Sequence, residues 1–504
     1  MMPARGVAIR LFLTCWVIFS LHVATDFARE HYLVVSIAER GSFRLDEYYG
    51  LHPDIFQLPS GHAYHGANPG ISMMAAIPYF LLRPITDPIV GRVVAARSAE
   101  TDTARARFQD LRPARVRFYQ EVRKRGLDIK FGLVGLITVV LFMAPLSAFG
   151  AVIMYRVLLG TGLRSPHSLA GALFYALGTP IFFRTGYLNQ NLAVAIFGFV
   201  AFALLWNPGE QFRLGTRMRL VWGGLCAGMA LLCDYSGALA VGLCGLYAVW
   251  RHQRRDDWTT GLQAAAWYSL GAVGPILLLW FYQWSAFGTP FYPPQHHMPP
   301  VEWSNLGYQG VTGPQEELFW ALLLDPRFGL FITAPALSLA LFAPWLNIKG
   351  ISIIPWRETV TLFGIALAYL VFFSAVQYTQ LQYITGIRYV IPVVPCLALL
   401  TIAVLIRLPR WISWPVGIGS FALAWAMAMV RVPYPDRSII GVLETIMSQG
   451  IQLPALTTLS RASASYAESP AAGIAPFLLL GLGGLLVLAI WRVGRTPARP
   501  HPSP

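Results

Sequence analysis

Two acidic residues stand where the first long apolar run of the sequence ends. Asp26 follows that run directly and Glu30 comes four residues later, so on a helix both carboxylates would project to one side. In a dry environment, burial and a second negative charge both raise a carboxyl pKa towards neutrality, which suits a general base. The alternative is that Thr25 or Asp26 only caps a helix that Gly41 would end. Both interpretations stay open on these residues alone.

The same polar stretch continues to GHAYHGANPG, which brings His62, Tyr64 and His65 close to the next apolar run. Two histidines three residues apart, with carboxylates nearby, could bind a metal. In a turn-rich loop such residues more often contact a substrate or water. The Asn68–Gly70 turn is a start signal for the helix that follows. We therefore treat the two histidines and the tyrosine as candidate substrate-binding residues and expect no metal.

Arginines at two later span boundaries could bind an anion. Arg327 lies in LLLDPRFGLFITAP, and Arg388 with Tyr389 lies in TGIRYVIPVVP. An arginine at that depth is costly unless it is paired or bound to an anion, and a lipid-linked phosphate suits a bidentate guanidinium. The alternative is an arginine that snorkels to lipid head groups. Arg184, in RTGYLNQN, could line the same cavity, whereas Asp234 would only mark a hairpin tip.

The composition dictates the kind of element that must position these residues. The chain has 504 residues, of which 56% are hydrophobic and only 12% charged, about half the charge of a soluble domain. Many apolar runs approach twenty residues, and strand-period alternation is absent, so the sequence predicts an all-α polytopic membrane protein with roughly eleven to fourteen transmembrane helices. The net charge of +14 comes mostly from arginines in short loops, which favours the positive-inside rule over nucleic-acid binding.

The N-terminal apolar run and the cysteines each allow a simple interpretation. Arg5 and Arg10 precede the run Leu11–Val23, which resembles a signal peptide, but no small-residue cleavage pattern follows. We expect an uncleaved first helix with its N-terminus in the cytoplasm. The cysteines show no paired ligand spacing and are expected to be small buried hydrophobes. They are Cys15, Cys226, Cys233, Cys244 and Cys396.

Along the chain, two polar outer loops are expected at 25–70 and 288–327. Within the second loop, PQEELFWALLLDPRFG predicts a short amphipathic helix at the interface. The long apolar run Leu220–Trp250 is flanked by arginines on both sides, which favours a tight hairpin of two short helices. The expected organisation is a transmembrane catalytic domain over 1–430, an outer segment with the last span over 431–491, and a disordered basic cytoplasmic tail over 492–504.

The side of the membrane taken by the basic segment Arg83–Lys130 does not follow consistently from the charges. Counting forward from the first helix places this segment inside. Counting back from the C-terminal arginines places Arg156–His167 inside as well. Either Phe131–Leu159 crosses twice, or the short apolar run Ile71–Leu82 does not cross at all.

Four stretches together resemble the polytopic GT-C glycosyltransferases, the superfamily of protein O-mannosyltransferases and lipid A aminoarabinose transferases. They are ATDFAREHY, AYHGANPGISMMAAIPYFLL, LLLDPRFGLFITAPAL and TGIRYVIPVVP, and they span roughly 25–395. The resemblance implies that Asp26 is the acidic residue of the first outer loop at the catalytic centre, and that Arg388 and Arg327 hold the carrier phosphate. The sequence departs from the family at His65, where many relatives have a basic or small residue, and in the length of its basic segment. No DxD pair stands at the membrane face, which agrees with a lipid-linked donor.

The resemblance implies an inverting glycosyltransferase of the bacterial inner membrane, with its active site facing the periplasm. Asp26 would deprotonate the acceptor, Glu30 would assist, and polyprenyl phosphate would leave. The expected partners are a polyprenyl-phosphate sugar, a glycan, lipid or protein acceptor, and the bilayer; no cofactor is expected. The alternative is a transporter or flippase of lipid-linked sugars, which predicts ionisable residues deep inside several spans and an internal repeat.

Overall fold

The computed structural model describes residues 4–24, 27–99, 108, 110–254, 257–380, 384–430 and 432–493. Within these ranges the chain is mostly helical, and one small antiparallel sheet pairs β1 (Ile55–Gln57) with β2 (Ala63–His65). The expected all-α class is confirmed. The tail beyond residue 493 lies outside the described residues.

The helices follow one another with short connections for most of the chain. They are α1 Ala4–Leu21, α2 Arg29–Arg40, α3 Gly70–Ala99, α4 Pro113–Lys124, α5 Asp128–Thr138, α6 Ala144–Gly160, α7 Ser165–Leu177, α8 Pro180–Thr185, α9 Gln190–Trp206, α10 Thr216–Cys233, α11 Gly237–His252, α12 Trp258–Phe287, α13 Glu316–Leu324, α14 Leu330–Thr333, α15 Ala343–Ile348, α16 Trp356–Ser374, α17 Val394–Leu405, α18 Arg410–Met429, α19 Ile439–Gln449, α20 Pro454–Ala462, α21 Ala464–Ala467 and α22 Pro470–Arg492. A π-helical turn, Val139–Met143, joins α5 to α6.

Six described helical segments are long and apolar enough to cross a bilayer, or up to seven if the bent pair α19–α20 is one span. They are Ala4–Leu21, Asp128–Gly160, Trp258–Phe287, Trp356–Ser374, Arg410–Met429 and Pro470–Arg492. The protein is therefore polytopic. Shorter apolar helices, such as α9, lie between these spans. The larger number expected from the sequence, about eleven to fourteen, stays a prediction.

The basic segment 83–130 packs against the first outer loop. Lys130 Nζ lies 3.0 Å from a carboxylate oxygen of Glu39 in α2. Arg125 donates to the carbonyl oxygen of Glu47 at 3.2 Å, and Arg83 donates to that of Ala38 at 3.1 Å. Both ends of the segment therefore return to the same loop, and α3 is not among the candidate spans of the described residues. These contacts favour the alternative in which Ile71–Leu82 does not cross the membrane, rather than the placement obtained by counting forward from the first helix, and long loops follow the positive-inside rule poorly.

The side of the membrane on which residues 83–130 lie can be tested by cysteine labelling with a membrane-impermeant maleimide in intact cells, in a Cys226→Ser background. Gln120→Cys in α4 and Tyr49→Cys in the first outer loop are both exposed, and we expect both to be labelled from the same side. Arg213→Cys, in the arginine-flanked loop before α10, is expected to react only after permeabilisation. If Gln120→Cys, like Arg213→Cys, reacted only after permeabilisation, the placement obtained by counting forward from the first helix would stand.

The predicted hairpin in Leu220–Trp250 is confirmed, because α10 and α11 are separated by the turn Asp234–Ser236. Its position is set by close packing of α10 against α12. A Cβ at Gly224 would collide with the carbonyl oxygen of Tyr268, so the two backbones approach as closely as small residues allow. This contact fixes the hairpin whose tip carries Asp234.

Two smaller predictions are also confirmed. A helix forms in the second outer loop, as α13. All five cysteines are free thiols; four are buried and Cys226 is half-buried.

Candidate functional site

A group of charged residues meets where α2 begins. Arg29 Nε donates to Glu30 at 3.0 Å, and a terminal nitrogen of Arg29 donates to Asp54 at 2.6 Å. The Glu30 side chain is buried, with only 7% of its surface exposed. The cluster joins the start of α2 to the turn that precedes β1. Arg29 and Asp54 were not among the residues singled out from the sequence, although Arg29 stands directly beside Glu30.

Arg29 reverses the effect that burial has on its carboxylate neighbours. Burial alone raises the pKa of Glu30, but the Arg29 charge and hydrogen bonds outweigh it, so the pKa lies below its ordinary value. Burial and Arg29 act in the same opposing way on Asp54, and its pKa is also lowered. The expectation of a raised pKa is therefore wrong for Glu30. Both carboxylates are ionised at neutral pH.

Asp26, the expected base, and Thr25 lie outside the described residues. The residue before α2 is Ala28, which makes no side-chain capping bond; its N–H donates to the ring of His31 at 2.9 Å instead. Ala28 thus occupies the N-cap position of α2, and the interpretation that Thr25 or Asp26 caps a helix stays a prediction. Gly41 ends α2 as expected, with φ of 60°. On the N-terminal side of Thr25 and Asp26, the Ala24 N–H donates to the Gly186 carbonyl oxygen at 2.6 Å.

Arg388 reaches this cluster from more than three hundred residues downstream. The guanidinium interacts electrostatically with Arg29 and Glu30, and its pKa is raised: burial lowers it, but Tyr389, Tyr187 and Glu30 outweigh that effect. It lies 4.9 Å above the ring of Tyr389, a half-buried residue. Among the described residues, no carboxylate or carbonyl oxygen is hydrogen-bonded to the Arg388 guanidinium. A partly buried cation without such a partner is typical of an anion site.

Arg327 lies in a different environment. Its guanidinium is bonded twice to Asp325, at 3.1 and 2.9 Å, and 55% of its side chain is exposed. Its main-chain carbonyl oxygen accepts from the N–H of Gly386 at 2.7 Å. Arg327 thus supports the loop before Arg388 through its backbone, while its charge is already compensated.

Arg184 is completely buried and braces the same loop. It donates to the carbonyl oxygen of Thr385 at 3.0 Å, and also to those of Gly386 and Ile387, directly before Arg388. A further nitrogen donates to the hydroxyl of Tyr187 at 3.1 Å. The guanidinium is therefore occupied by the protein. In the structure it positions Arg388 rather than facing an open cavity.

Arg184→Gln is expected to displace this loop, because three carbonyl oxygens lose their donor. We expect weaker binding of inorganic phosphate at Arg388, and Arg184→Lys should recover part of the loss. Arg156→Gln is a matched control, since Arg156 donates to a loop carbonyl of Gln211 at the far end of α6. Equilibrium binding of phosphate to the folded variants provides the measurement. Equal losses in Arg184→Gln and Arg156→Gln would contradict a role through Arg388.

The three loop residues singled out from the sequence separate in the structure. His62 is partly exposed and its ring bonds to Asp46 at 3.0 Å. Tyr64 is buried in β2 and packs on Phe287, with ring centroids 5.4 Å apart. His65 is fully buried and interacts electrostatically with Arg29 and Glu30. Of the three, His65 belongs to the charged cluster.

The tautomer of His65 determines what it can do. Its Nδ1 accepts the N–H of Ala67 at 3.0 Å, which assigns the proton of the neutral ring to Nε2. Burial lowers its pKa to about 4, with Arg29 acting in the same direction, so the ring is neutral at pH 7. Nε2 has no partner among the described residues. His65 is therefore a buried donor rather than a base.

Asp234, at the hairpin tip, faces the same cluster. Gln190 donates to its carboxylate at 2.6 Å, and the N–H of Ser236 does so at 2.9 Å. Burial raises its pKa against these bonds, with Arg29 lowering and Glu30 raising it. The sequence interpretation that Asp234 merely marks a tip missed this contact, because only the fold brings the tip to α2.

The two outer loops meet beside the cluster. Met298 of the second loop lies so close to Gly66 that a side chain there would displace it. A cavity of about 560 Å3 is lined by Ala24 and by a group of charged residues. In that group Arg112 and Arg461 both bond to Asp110, at 2.6 and 3.2 Å. This cavity meets the chain at Ala24, five residues before Arg29.

No group of three or more potential metal ligands occurs within the described ranges. Asp26 is outside them, so the expectation of a metal-free reaction stays a prediction.

Comparisons with known proteins give one structural likeness. No protein-family model matches the chain. No curated protein matches its sequence. A search of solved structures finds the crystal structure of ArnT from Cupriavidus metallidurans in the apo state, at 16% sequence identity and a TM-score of 0.49. The match covers 97% of this chain and 75% of that one.

Proposed function

We propose that this protein is a GT-C-type glycosyltransferase that transfers a sugar from a polyprenyl phosphate to a glycan, lipid or protein acceptor. The observation that carries the proposal is the Arg388 guanidinium, half-buried beside Arg29 and Glu30 with no hydrogen-bonded acceptor among the described residues. Such a group favours binding of an anion, and a guanidinium matches phosphate oxygens bidentately. A phosphate on a lipid carrier reaches this depth with its tail between the helices.

The residues around Arg388 suit the departure of a phosphate. Arg29 keeps its charge beside Glu30 and Asp54, which hold it in place. His65 offers a neutral Nε2–H donor towards the same region. Fixed donors of this kind stabilise charge that develops on a leaving group without reorganisation. The carrier phosphate would thus be bound by Arg388, with Arg29 and His65 adding to the field.

In the proposed reaction a carboxylate takes the proton of the acceptor hydroxyl. The acceptor oxygen attacks the anomeric carbon, the bond from that carbon to the phosphate oxygen breaks, and polyprenyl phosphate leaves with the electron pair. Glu30 is held ionised by Arg29, so its lowered pKa suits orientation better than proton abstraction. Asp26 is the proposed base, on the strength of its place three residues before Arg29 in the sequence.

The acceptor is proposed to approach through the polar cavity lined by Ala24, Asp110 and Arg112, because Asp26 follows Ala24 by two residues. The protein would work in the bacterial inner membrane, with this site facing the periplasm.

The distribution of charge does not favour a transporter of lipid-linked sugars. In the six candidate spans, acidic and basic residues stand towards the helix ends, as with Arg357 and Glu358 in α16 or Arg410 in α18. Ionisable residues along a transport pathway would lie at the middle of several spans.

The test is transfer by the purified protein from polyprenyl-phosphate sugars to candidate acceptors, with wild type and Asp26→Asn compared after equal folding is confirmed. We expect the variant to lose about 10²- to 10⁴-fold in rate. Asp46→Asn is the matched control, since Asp46 is an exposed carboxylate of the same loop, paired with His62. Undiminished turnover by Asp26→Asn would eliminate the proposed base.

A further inference from the structure

Several buried polar side chains around the tip of the α10–α11 hairpin carry an oxygen without a hydrogen-bond partner in the described part of the chain. Each of these side chains is more than nine-tenths buried. They are Asn68 Oδ1, Gln190 Oε1, Asn191 Oδ1, Ser236 Oγ and Gln283 Oε1. An unpartnered buried acceptor costs stability, and several in one region need an explanation.

Three of these side chains are amides anchored in the same manner. Asn68 uses its NH2 group to bond the carbonyl oxygen of Leu231 at 2.8 Å, and Gln190 uses its own to bond Asp234 at 2.6 Å. Gln283 donates to the hydroxyl of Tyr235. In each case the donor end is fixed to the hairpin tip and the acceptor end is left over. For Asn68 and Gln190 the amide orientation follows from these bonds, since their carbonyl and carboxylate partners can only accept.

This acceptor-rich group adjoins the proposed phosphate site. Asp234, to which Gln190 and the N–H of Ser236 are bonded, interacts electrostatically with Arg29 and Glu30. A donor sugar is attached directly to the phosphate, so its ring must lie next to the group that binds that phosphate. A sugar ring presents several hydroxyl donors, which is the chemistry that unpartnered amide and hydroxyl oxygens require.

We propose that the side chains of Asn68, Gln190, Ser236 and Gln283, with Asp234, form the subsite for the donor sugar and select an uncharged, hydroxyl-rich ring over a uronic acid. The proposal rests on the proposed transferase function. A sugar carboxylate brings no donor to these oxygens, and it would face the carboxylates of Asp234 and Glu30. Like charges in a buried site are strongly unfavourable, so the same side chains that bind sugar hydroxyls would reject a uronic acid.

Binding to the full-length protein in detergent tests the proposal, with three probes: polyprenyl phosphate alone, its neutral hexosyl esters, and the matching uronosyl esters. We expect a neutral hexosyl ester to bind more tightly than the sugar-free carrier, and the uronosyl ester at least tenfold more weakly than its neutral counterpart. Equal binding of the uronosyl and hexosyl esters would overturn the proposal. Equal binding of every hexosyl ester and the bare carrier would also overturn it, because water would then hydrogen-bond the unpartnered oxygens as well as a sugar does.

Single-residue variants test which side chains bind the sugar. Ser236→Ala removes an unpartnered hydroxyl and no side-chain hydrogen bond of the described structure, so it should fold and bind the neutral ester about three- to tenfold more weakly, with the bare carrier unaffected. Gln190→Met provides a second variant. Tyr175→Phe is the matched control, because Tyr175 also carries a buried unpartnered hydroxyl, but in α7. A similar loss of binding in Tyr175→Phe would overturn the assignment of these side chains to the sugar subsite.

Failure of this subsite is distinguishable from failure of the proposed function. If the bare carrier binds and Arg388→Gln abolishes that binding, the phosphate site stands even when the sugar adds nothing. If the bare carrier does not bind at all, the proposed function and the subsite both fail.

Discussion

Arg388→Gln is expected to lower transfer from a polyprenyl-phosphate donor by about two to three orders of magnitude. The guanidinium lies beside Arg29 and Glu30 without a hydrogen-bonded acceptor among the described residues, so no internal ion pair is broken by its removal. The variant should therefore fold normally, and the loss should come from weaker binding of the phosphate in the ground state and on departure. Carrier binding and single-turnover transfer, measured on one preparation, separate these two contributions.

Arg327→Gln is the matched control for Arg388→Gln. Arg327 stands in an equally recognisable motif, but Asp325 already compensates its charge and its side chain is largely exposed. We expect transfer within about threefold of wild type, since exposed ion pairs contribute little. Equal losses in both variants would return both arginines to the phosphate site, as the sequence resemblance implied. Full activity of Arg388→Gln would place the anion site elsewhere.

Local patterns predicted several elements of the fold because their causes are local. Gly41 ends α2 because glycine tolerates the left-handed conformation. The arginines on both sides of Leu220–Trp250 indicated the hairpin, because they favour the same side of the membrane for both flanking loops. The packing of residues 83–130 against the first outer loop was not predictable. It depends on contacts such as Lys130 with Glu39, which join distant segments and leave no periodic signal.

The candidate site likewise has features that the sequence indicated and features that only the fold reveals. The sequence could nominate Glu30 and Arg388 from their positions at span boundaries, and the structure brings these two together. It could not assign the pKa of Glu30, because the sign of that shift depends on the distance to Arg29 and on burial. Asp234 was dismissed for a related reason. A carboxylate at a hairpin tip is unremarkable until the fold shows which surface the tip contacts.

Glu30→Gln is expected to destabilise the protein by about 3–5 kcal/mol, a loss typical of breaking a buried ion pair. Arg29 would keep Asp54 as its only carboxylate partner among the described residues, and its charge would be less well compensated. The sign with pH follows from the lowered pKa of Glu30. Its stabilisation is present above the unfolded-state pKa, about 4.3, and is lost as the pH falls through the lower folded-state pKa.

Thermal unfolding of Glu30→Gln in detergent, as a function of pH, provides the measurement. The difference in stability from wild type should be full at neutral pH and should shrink in acid, where wild-type Glu30 is itself protonated. Asp46→Asn, which removes an exposed carboxylate paired with His62, should change stability by less than about 1 kcal/mol. A Glu30→Gln variant as stable as wild type but without any transfer would reverse the assignment. Glu30 would then be the base, and Asp26 would lose that role.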